Sequence, residues 1–287
     1  MKRGLNRMLS YRHAFHAGMH ADVLKHCVLV HLLRYLAQKD KAFWYIDTHA
    51  GAASYALREK YARTSAEHET GIARLWGRGD LPEPLDAYLE QVRAINPDGL
   101  KHYPGSPWIA DRLMRKQDRL RFFELHSTDA SLLQQHFRKA APRVVVHQGD
   151  GFVGLLALLP PPPRRGLVLI DPSYEDKRDY ARVIGTLRGA LERFATGTYA
   201  VWYPQVKRRE AQQLSERLER MRPGGWLHAT LTVKKPPADG FGLYGSGVFV
   251  VNPPYTLPGL LASVLPYLAR QLGQDESACF SLKSKLD

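Results

Sequence analysis

Two short stretches carry residue types that together could hold an amine. GLVLID at 166–171 runs into Asp171-Pro172-Ser173-Tyr174, and GVFVV at 247–251 runs into Asn252-Pro253-Pro254-Tyr255. In each, a side-chain oxygen and the carbonyl of the next proline are acceptors one residue apart, and a tyrosine follows. An aromatic amine is a poor nucleophile because its lone pair is delocalised into the ring. Acceptors that take both its hydrogens steer that lone pair outward, which is catalysis by positioning and electrostatics. A nucleic-acid base held this way must first leave its helix, and the tyrosine ring would stack on it.

Three further acidic residues each close an apolar run. Asp47 follows AFWYI and leads into THAGAA with Gly51; Glu124 follows LRFF; Asp150 stands in GDGF beside Gly151. The small residues after Asp47 admit a ligand close to the backbone. A carboxylate at the second position can accept both hydroxyls of a ribose, and one at the third can accept from an adenine amine. Each alone reads equally well as a turn residue or helix cap. In series at consecutive strand ends they fit S-adenosyl-L-methionine, and a dinucleotide fits less well because no full G-x-G-x-x-G is present for a pyrophosphate.

A third cluster lies near the start of the chain. MLSYRHAFHAGMHADVLKH packs Tyr11, Arg12, His13, His16, His20, Lys25 and His26 ahead of a helix reading VLVHLLRYLA. Nothing there fixes four converging ligands, so no metal is expected. A histidine-rich helix entry with satisfied hydrogen bonds and a cover over an active site both stand as readings.

The elements that must position these groups are legible as seven apolar, β-branched or aromatic runs: 42–47, 120–126, 143–150, 166–171, 198–204, 226–233 and 247–254. Several are apolar on both faces, as strands covered by helices must be, and helical periodicity fills gaps such as 180–194 and 209–221. The fold class is α/β, a Rossmann-like seven-stranded class I methyltransferase sheet with its last strand antiparallel. Ligands bind beyond the carboxyl ends of the parallel strands of such a sheet. The antiparallel last strand would deliver Asn252 to the opposite rim, so the geometry selects Asp171 and leaves Asn252 to Tyr255 as a strand exit and turn.

More than seventy residues separate the first two strands, where a single crossover helix needs far fewer. Patterns at 69–76 and 84–95 predict helices inside that gap. The predicted division is 1–52 for an N-terminal active-site motif, helix and first core strand, 53–101 for an inserted helical subdomain, and 102–287 for the rest of the core. PPPPRR at 160–165 reads as a stiff connector.

At 287 residues with 44% hydrophobic and 24% charged residues, the chain can bury a sizeable core. No apolar run reaches the roughly 18 residues of a membrane span, and a signal core is lacking after MKRGLNR, so a cytoplasmic location and no membrane partner are expected. Cys27 and Cys279 show no metal or redox spacing. The net charge of +13 draws polyanions and makes nucleic acid the leading partner. Its spread, through Arg112, Arg115, Lys116, Arg119 and Arg121 in the middle and Lys207, Arg208, Arg209, Lys234 and Lys235 late, predicts a broad phosphate-tracking face.

SYRHAFHAGMHADVLKH, DTHAG, YPGSPWIA, GDGF, LIDPSYE, FATGTYAVWYP and the last strand before NPPY resemble the bacterial adenine-N6 methyltransferases of large-subunit (23S) ribosomal RNA, the methyltransferase J family. The resemblance runs over nearly the whole chain from Met8, which would make residues 1–7 an extension. It implies cofactor contacts from His26, His49, Ser106, Glu124, Asp150, Gly151 and Asp171. It also implies that Tyr11, His13 and Lys25 line the active site, that Asp171, Pro172 and Tyr174 handle the target adenine, and that the enzyme is a monomer acting on 23S ribosomal RNA. The family pattern has proline where Ser173 stands and often glycine where Ala53 stands. The carbonyl of Pro172 survives the first departure, so the expected consequence is a less rigid loop and a changed rate. Two other readings accompany this one: an amino-methyltransferase with a DNA adenine or protein glutamine acceptor, and a non-catalytic RNA-binding protein with a vestigial cofactor pocket.

Overall fold

The computed structural model describes residues 13–57, 66–221, 224–240 and 242–286. Tyr11 and Arg12, both singled out above, lie outside them. After a short 3-10 turn at His13–Phe15 come helix α1 (His20–Ala37), strand β1 (Trp44–Asp47) and strand β2 (Ser54–Ala56). Two 3-10 turns, Glu67–Thr70 and Ile72–Arg74, precede α2 (Glu83–Ala94), β3 (His102–Pro104) and α3 (Ser106–Leu113). The chain continues through β4 (Arg119–Glu124), α4 (Ser127–Phe137), β5 (Val144–Gln148), α5 (Gly151–Leu158), β6 (Gly166–Ile170), α6 (Asp179–Arg193) and β7 (Thr198–Gln205). It ends with α7 (Arg209–Arg220), β8 (Trp226–Thr232), β9 (Gly245–Val251), α8 (Leu257–Leu272) and β10 (Cys279–Lys285).

One sheet dominates, in the order β10-β8-β9-β7-β6-β1-β4-β5. β5, β4, β1, β6 and β7 are parallel, and β9 runs antiparallel to both β7 and β8. β6 and β9 are buried from end to end, as strands with helices on both faces must be. α1 is buried over most of its length and packs against α2, α3, α8 and β9.

All seven expected strands form, and the sheet has an eighth. β10 pairs antiparallel with β8 from Cys279 beside Thr232 to Lys285 beside Trp226. CFSLKSK carries little apolar signal because it is a mostly exposed edge, where lysines protect against further pairing.

Segment 53–101 holds β2, both 3-10 turns and α2, and β2 pairs antiparallel with β3 in a two-stranded sheet of its own. It grips the residues that precede α1. Ile72 donates its backbone N–H to the Gly18 carbonyl at 2.8 Å, and a Cβ on Gly71 would fall 2.1 Å from that same oxygen. Only a glycine admits this approach.

The middle basic cluster sits differently from the expected phosphate-tracking face. Arg115 donates to the carbonyls of Ala37 and Lys39, Arg119 to those of Lys116, Gln117 and Asp118, and Arg121 to those of Leu120 and Arg143 while its guanidinium stacks 4.3 Å from the Trp44 ring. These side chains gather around the start of β4, the rim away from the strand carboxyl ends. They are held there by backbone carbonyls.

Candidate active site

The register aligns Asp47 with Phe122 of β4 and Leu169 of β6, so the loops after β1, β4, β5 and β6 open on one rim. A cavity of about 1050 Å³ lies there. Ligand clefts commonly span roughly 300–1,000 Å³, so there is room for a cofactor and a second group. Of the expected site residues, His13, Lys25, His26, His49, Ser106, Glu124, Asp150, Gly151, Asp171 and Pro172 all line it.

Asp47 is not on the wall. It is fully buried, accepting from the Tyr45 hydroxyl at 2.8 Å, the Ser106 hydroxyl at 2.7 Å and the His49 amide at 3.2 Å. Burial pushes its carboxyl up to about 6 against those donors. Its work is to hold the β1 loop and Ser106 in place. Glu124 does face the cavity, and each of its oxygens is fixed by a backbone amide: Gly51 N–H to Oε2 at 2.7 Å and His126 N–H to Oε1 at 2.7 Å. Each oxygen keeps a lone pair for a ligand hydroxyl.

Asp150 caps α5, its Oδ1 accepting from the Phe152 amide at 3.0 Å, while Oδ2 is paired with Arg182. The Arg182 guanidinium stacks 4.2 Å from the Phe152 ring, and the His49 ring meets that ring edge-on at 4.7 Å. Gly151 is required by packing, since a Cβ there would lie 1.9 Å from the Thr48 carbonyl oxygen. Burial drives His49 down to about 3 and His26 well below its ordinary value, so both rings are neutral near pH 7. His26 Nδ1 lies 2.9 Å from the Tyr103 hydroxyl, which lies 2.9 Å from that of Tyr88.

At the end of β6, Asp171 Oδ2 accepts from Lys25 Nζ at 2.6 Å. Lys25 also donates to Asp22 Oδ1 at 2.8 Å. Tyr174 is placed differently from the expected base-stacking position. Its φ of +55° turns the side chain inward, where the hydroxyl donates to the Trp202 carbonyl at 2.7 Å and the ring packs 4.6 Å from that of Tyr180. It is 3% exposed, and the aromatic wall beside Asp171 is Trp202. Arg208 further fastens the loop by donating to the Tyr174 carbonyl at 3.0 Å.

Asn252 stands at the far rim. Val251 pairs with Tyr199 near the start of β7, and Asn252 Nδ2 donates to the carbonyls of Ala195 and Gly197, both at 2.7 Å. Its φ of +51° suits an asparagine at a turn.

Sequence reasoning missed Asp22, Arg182 and Trp202 as parts of the cavity wall. Asp22 and Trp202 sit inside stretches quoted for the resemblance, HADVLKH and AVWYP, but no strand-end rule points to them. Arg182 lies on α6, and only the fold brings it to Asp150.

The strand order, the antiparallel β9 and a cavity carrying Glu124, Asp150 and Asp171 over the parallel strand ends define a Rossmann-like methyltransferase fold. Residues 40–282 match the family model described as "Ribosomal RNA large subunit methyltransferase D, RlmJ", and the chain belongs to that family. It is 47% identical over 266 residues to "Ribosomal RNA large subunit methyltransferase J" of Escherichia coli (strain K12), covering 92% of this chain and 94% of the relative. The protein of the same name from Haemophilus influenzae is 44% identical over 267 residues, with the same coverage. A crystal structure of a protein from Legionella pneumophila is 37% identical, with a TM-score of 0.85 over 94% of this chain and 98% of that one.

Proposed function

We propose that the protein transfers a methyl group from S-adenosyl-L-methionine to the N6 amine of one adenine in 23S ribosomal RNA. The names of its Escherichia coli and Haemophilus influenzae relatives support large-subunit ribosomal RNA as the acceptor. The observation that carries the reading is Asp171, whose carboxylate shares a cavity with Glu124 and Asp150.

The donor set fits the cofactor. Glu124 would take the ribose hydroxyls, and Asp150 with the Gly151 backbone would hold the adenine beside His49 and Phe152. His26 and Ser106 complete the wall. When bound, S-adenosyl-L-methionine supplies an electrophilic methyl sulfonium. Lys25 occupies Asp171 Oδ2, which leaves Oδ1 to accept one N6 hydrogen of the target base while the Pro172 carbonyl accepts the other. The N6 lone pair then points toward the cofactor side, and Oδ1 is the acceptor for the proton that the methylated amine sheds. Trp202 offers a ring face beside this point, and Tyr174 supports the loop from beneath. The N-terminal segment and residues 53–101, taken as an inserted helical subdomain, would complete the RNA face.

The test is transfer of labelled methyl to unmodified 23S ribosomal RNA. The parent should produce N6-methyladenosine, Asp171→Ala should abolish it, and Asn252→Ala should retain it. Loss in the Asn252 variant with retention in the Asp171 variant would place the chemistry at the opposite rim. A parent that forms no product would overturn the acceptor assignment.

A further inference from the structure

Lys25 does not face Asp171 alone. Asp22, one turn earlier on α1, is 1% exposed and holds the ammonium from the other side, with Oδ1 accepting from Lys25 Nζ at 2.8 Å. Its second oxygen reaches back toward the chain start. Oδ2 accepts from the Gly18 amide at 3.0 Å and lies 3.0 Å from His13 Nε2. The result is a buried row of carboxylate, ammonium and carboxylate, tied at one end to the segment that enters α1 and open at the other to the cavity.

The charge of that row matters for the reaction proposed above. An amine accepting a methyl group from a sulfonium becomes positively charged before it sheds its proton, and that charge develops beside Asp171. If Lys25 and Asp171 were paired in isolation, the pair would be neutral and the ammonium would oppose the developing charge at short range in a poorly screened site. A second carboxylate, Asp22, holds the ammonium from the side away from the cavity and offsets part of its charge. Lys25 can then orient Asp171 without cancelling it.

We infer that Asp22 is a positioning residue for methyl transfer: it fixes Lys25 against Asp171 and offsets the ammonium, so that Asp171 keeps its negative charge toward the amine. The inference rests on the role assigned to Asp171. Asp22 also lies in the first turn of α1, where an acidic residue suits the helix N-terminus. That role alone would show in stability and leave turnover untouched.

Charge restoration separates the two roles. Asp22→Asn removes one negative charge from the row, and Lys25→Met removes its ammonium and leaves two buried carboxylates facing one another. The double variant, Asp22→Asn with Lys25→Met, restores the net charge of the parent. Each full-length variant would be assayed for kcat and KM with unmodified 23S ribosomal RNA, and for stabilisation by S-adenosylhomocysteine in a thermal melt. Each single change should lower kcat roughly tenfold to a hundredfold, with KM and the ligand-induced shift little altered. The double variant should exceed both singles in kcat by about fivefold or more, a gain that independent structural contacts would not produce. The inference is overturned if Asp22→Asn turns over like the parent, or if the double variant is no faster than the slower single. If Asp22→Asn does not fold, Lys25→Met against the double variant decides by the same rescue. A parent inactive on this RNA would instead sink the reading of the acceptor.

Discussion

Burial disfavours a charged ammonium, yet Lys25 is held above its ordinary pKa because Asp171 and Asp22 outweigh that penalty. Burial likewise opposes the Asp22 carboxylate, and His13 and Lys25 hold it well below the usual range. The consequence is a fixed, ionised Lys25 that engages one oxygen of Asp171 and leaves the other to the amine of the proposed reaction. Glu124 shows the same economy, each oxygen anchored by one amide and still able to accept from a ligand. Replacing it by glutamine turns one acceptor into a donor aimed at a backbone N–H. Glu124→Gln should therefore weaken binding of S-adenosylhomocysteine about tenfold to a hundredfold in isothermal titration, the range for a hydrogen bond to a charged group. Affinity within about twofold of the parent would leave Glu124 as a brace for the Gly51 and His126 loops.

Single residues act here only because the elements bring loop ends together. β1, β4 and β6 are in register at their carboxyl ends, so Asp150, Asp171 and Glu124 reach one cavity from different loops. The approach of α5 to the β1 loop is closest at Gly151, directly below the Thr48 carbonyl. Gly151→Ala should destabilise the fold by about 1–3 kcal/mol, the usual cost of overpacking. Urea unfolding would show this as a lower midpoint at unchanged slope. An unchanged midpoint would mean that α5 can slide outward. The antiparallel β9 does the opposite service, carrying Asn252 away from the cavity to a turn closed on Ala195 and Gly197.

Across the whole molecule, neutral histidines stand both in the interior and on the cavity wall. Burial drives His49 down to about 3 and His20 to about 4 from an ordinary 6.5. The unfolded chain protonates both near 6.5, so below that pH the unfolded state binds more protons. Their contribution to stability is complete above pH 6.5 and is lost as pH falls toward 4, by at most about 1.4 kcal/mol per pH unit and group. Asp47, pushed up to about 6, contributes with the opposite sign, so a difference between variants is the cleaner measure. In ligand-free protein, His49→Asn should lose less melting temperature than the parent between pH 6.5 and 4. Equal losses would show that His49 takes up its proton while folded. Charge is also divided by location: Arg115, Arg119 and Arg121 bind backbone carbonyls around the start of β4, whereas Lys207, Arg208 and Arg209 follow β7 on the cavity side.

The seven apolar strands, the helices between them and the placing of Asp171 and Asn252 at opposite rims were readable from the sequence, because burial on both faces leaves a residue pattern and a sheet of this class has an antiparallel last strand. Glu124, Asp150 and Gly151 were readable for the same reason, since an apolar run marks the residues at its carboxyl end as lying on the ligand rim. β10 was not, because an exposed edge strand is held by backbone pairing and needs no apolar signal. Nor were the inward turn of Tyr174, the salt bridge from Arg182 to Asp150, or the ion pair of Lys25 with Asp171. Those depend on distances between residues far apart in the chain and on which side of a backbone turn a side chain falls. Local pattern records whether a residue will be buried; only the folded chain decides what it is buried against.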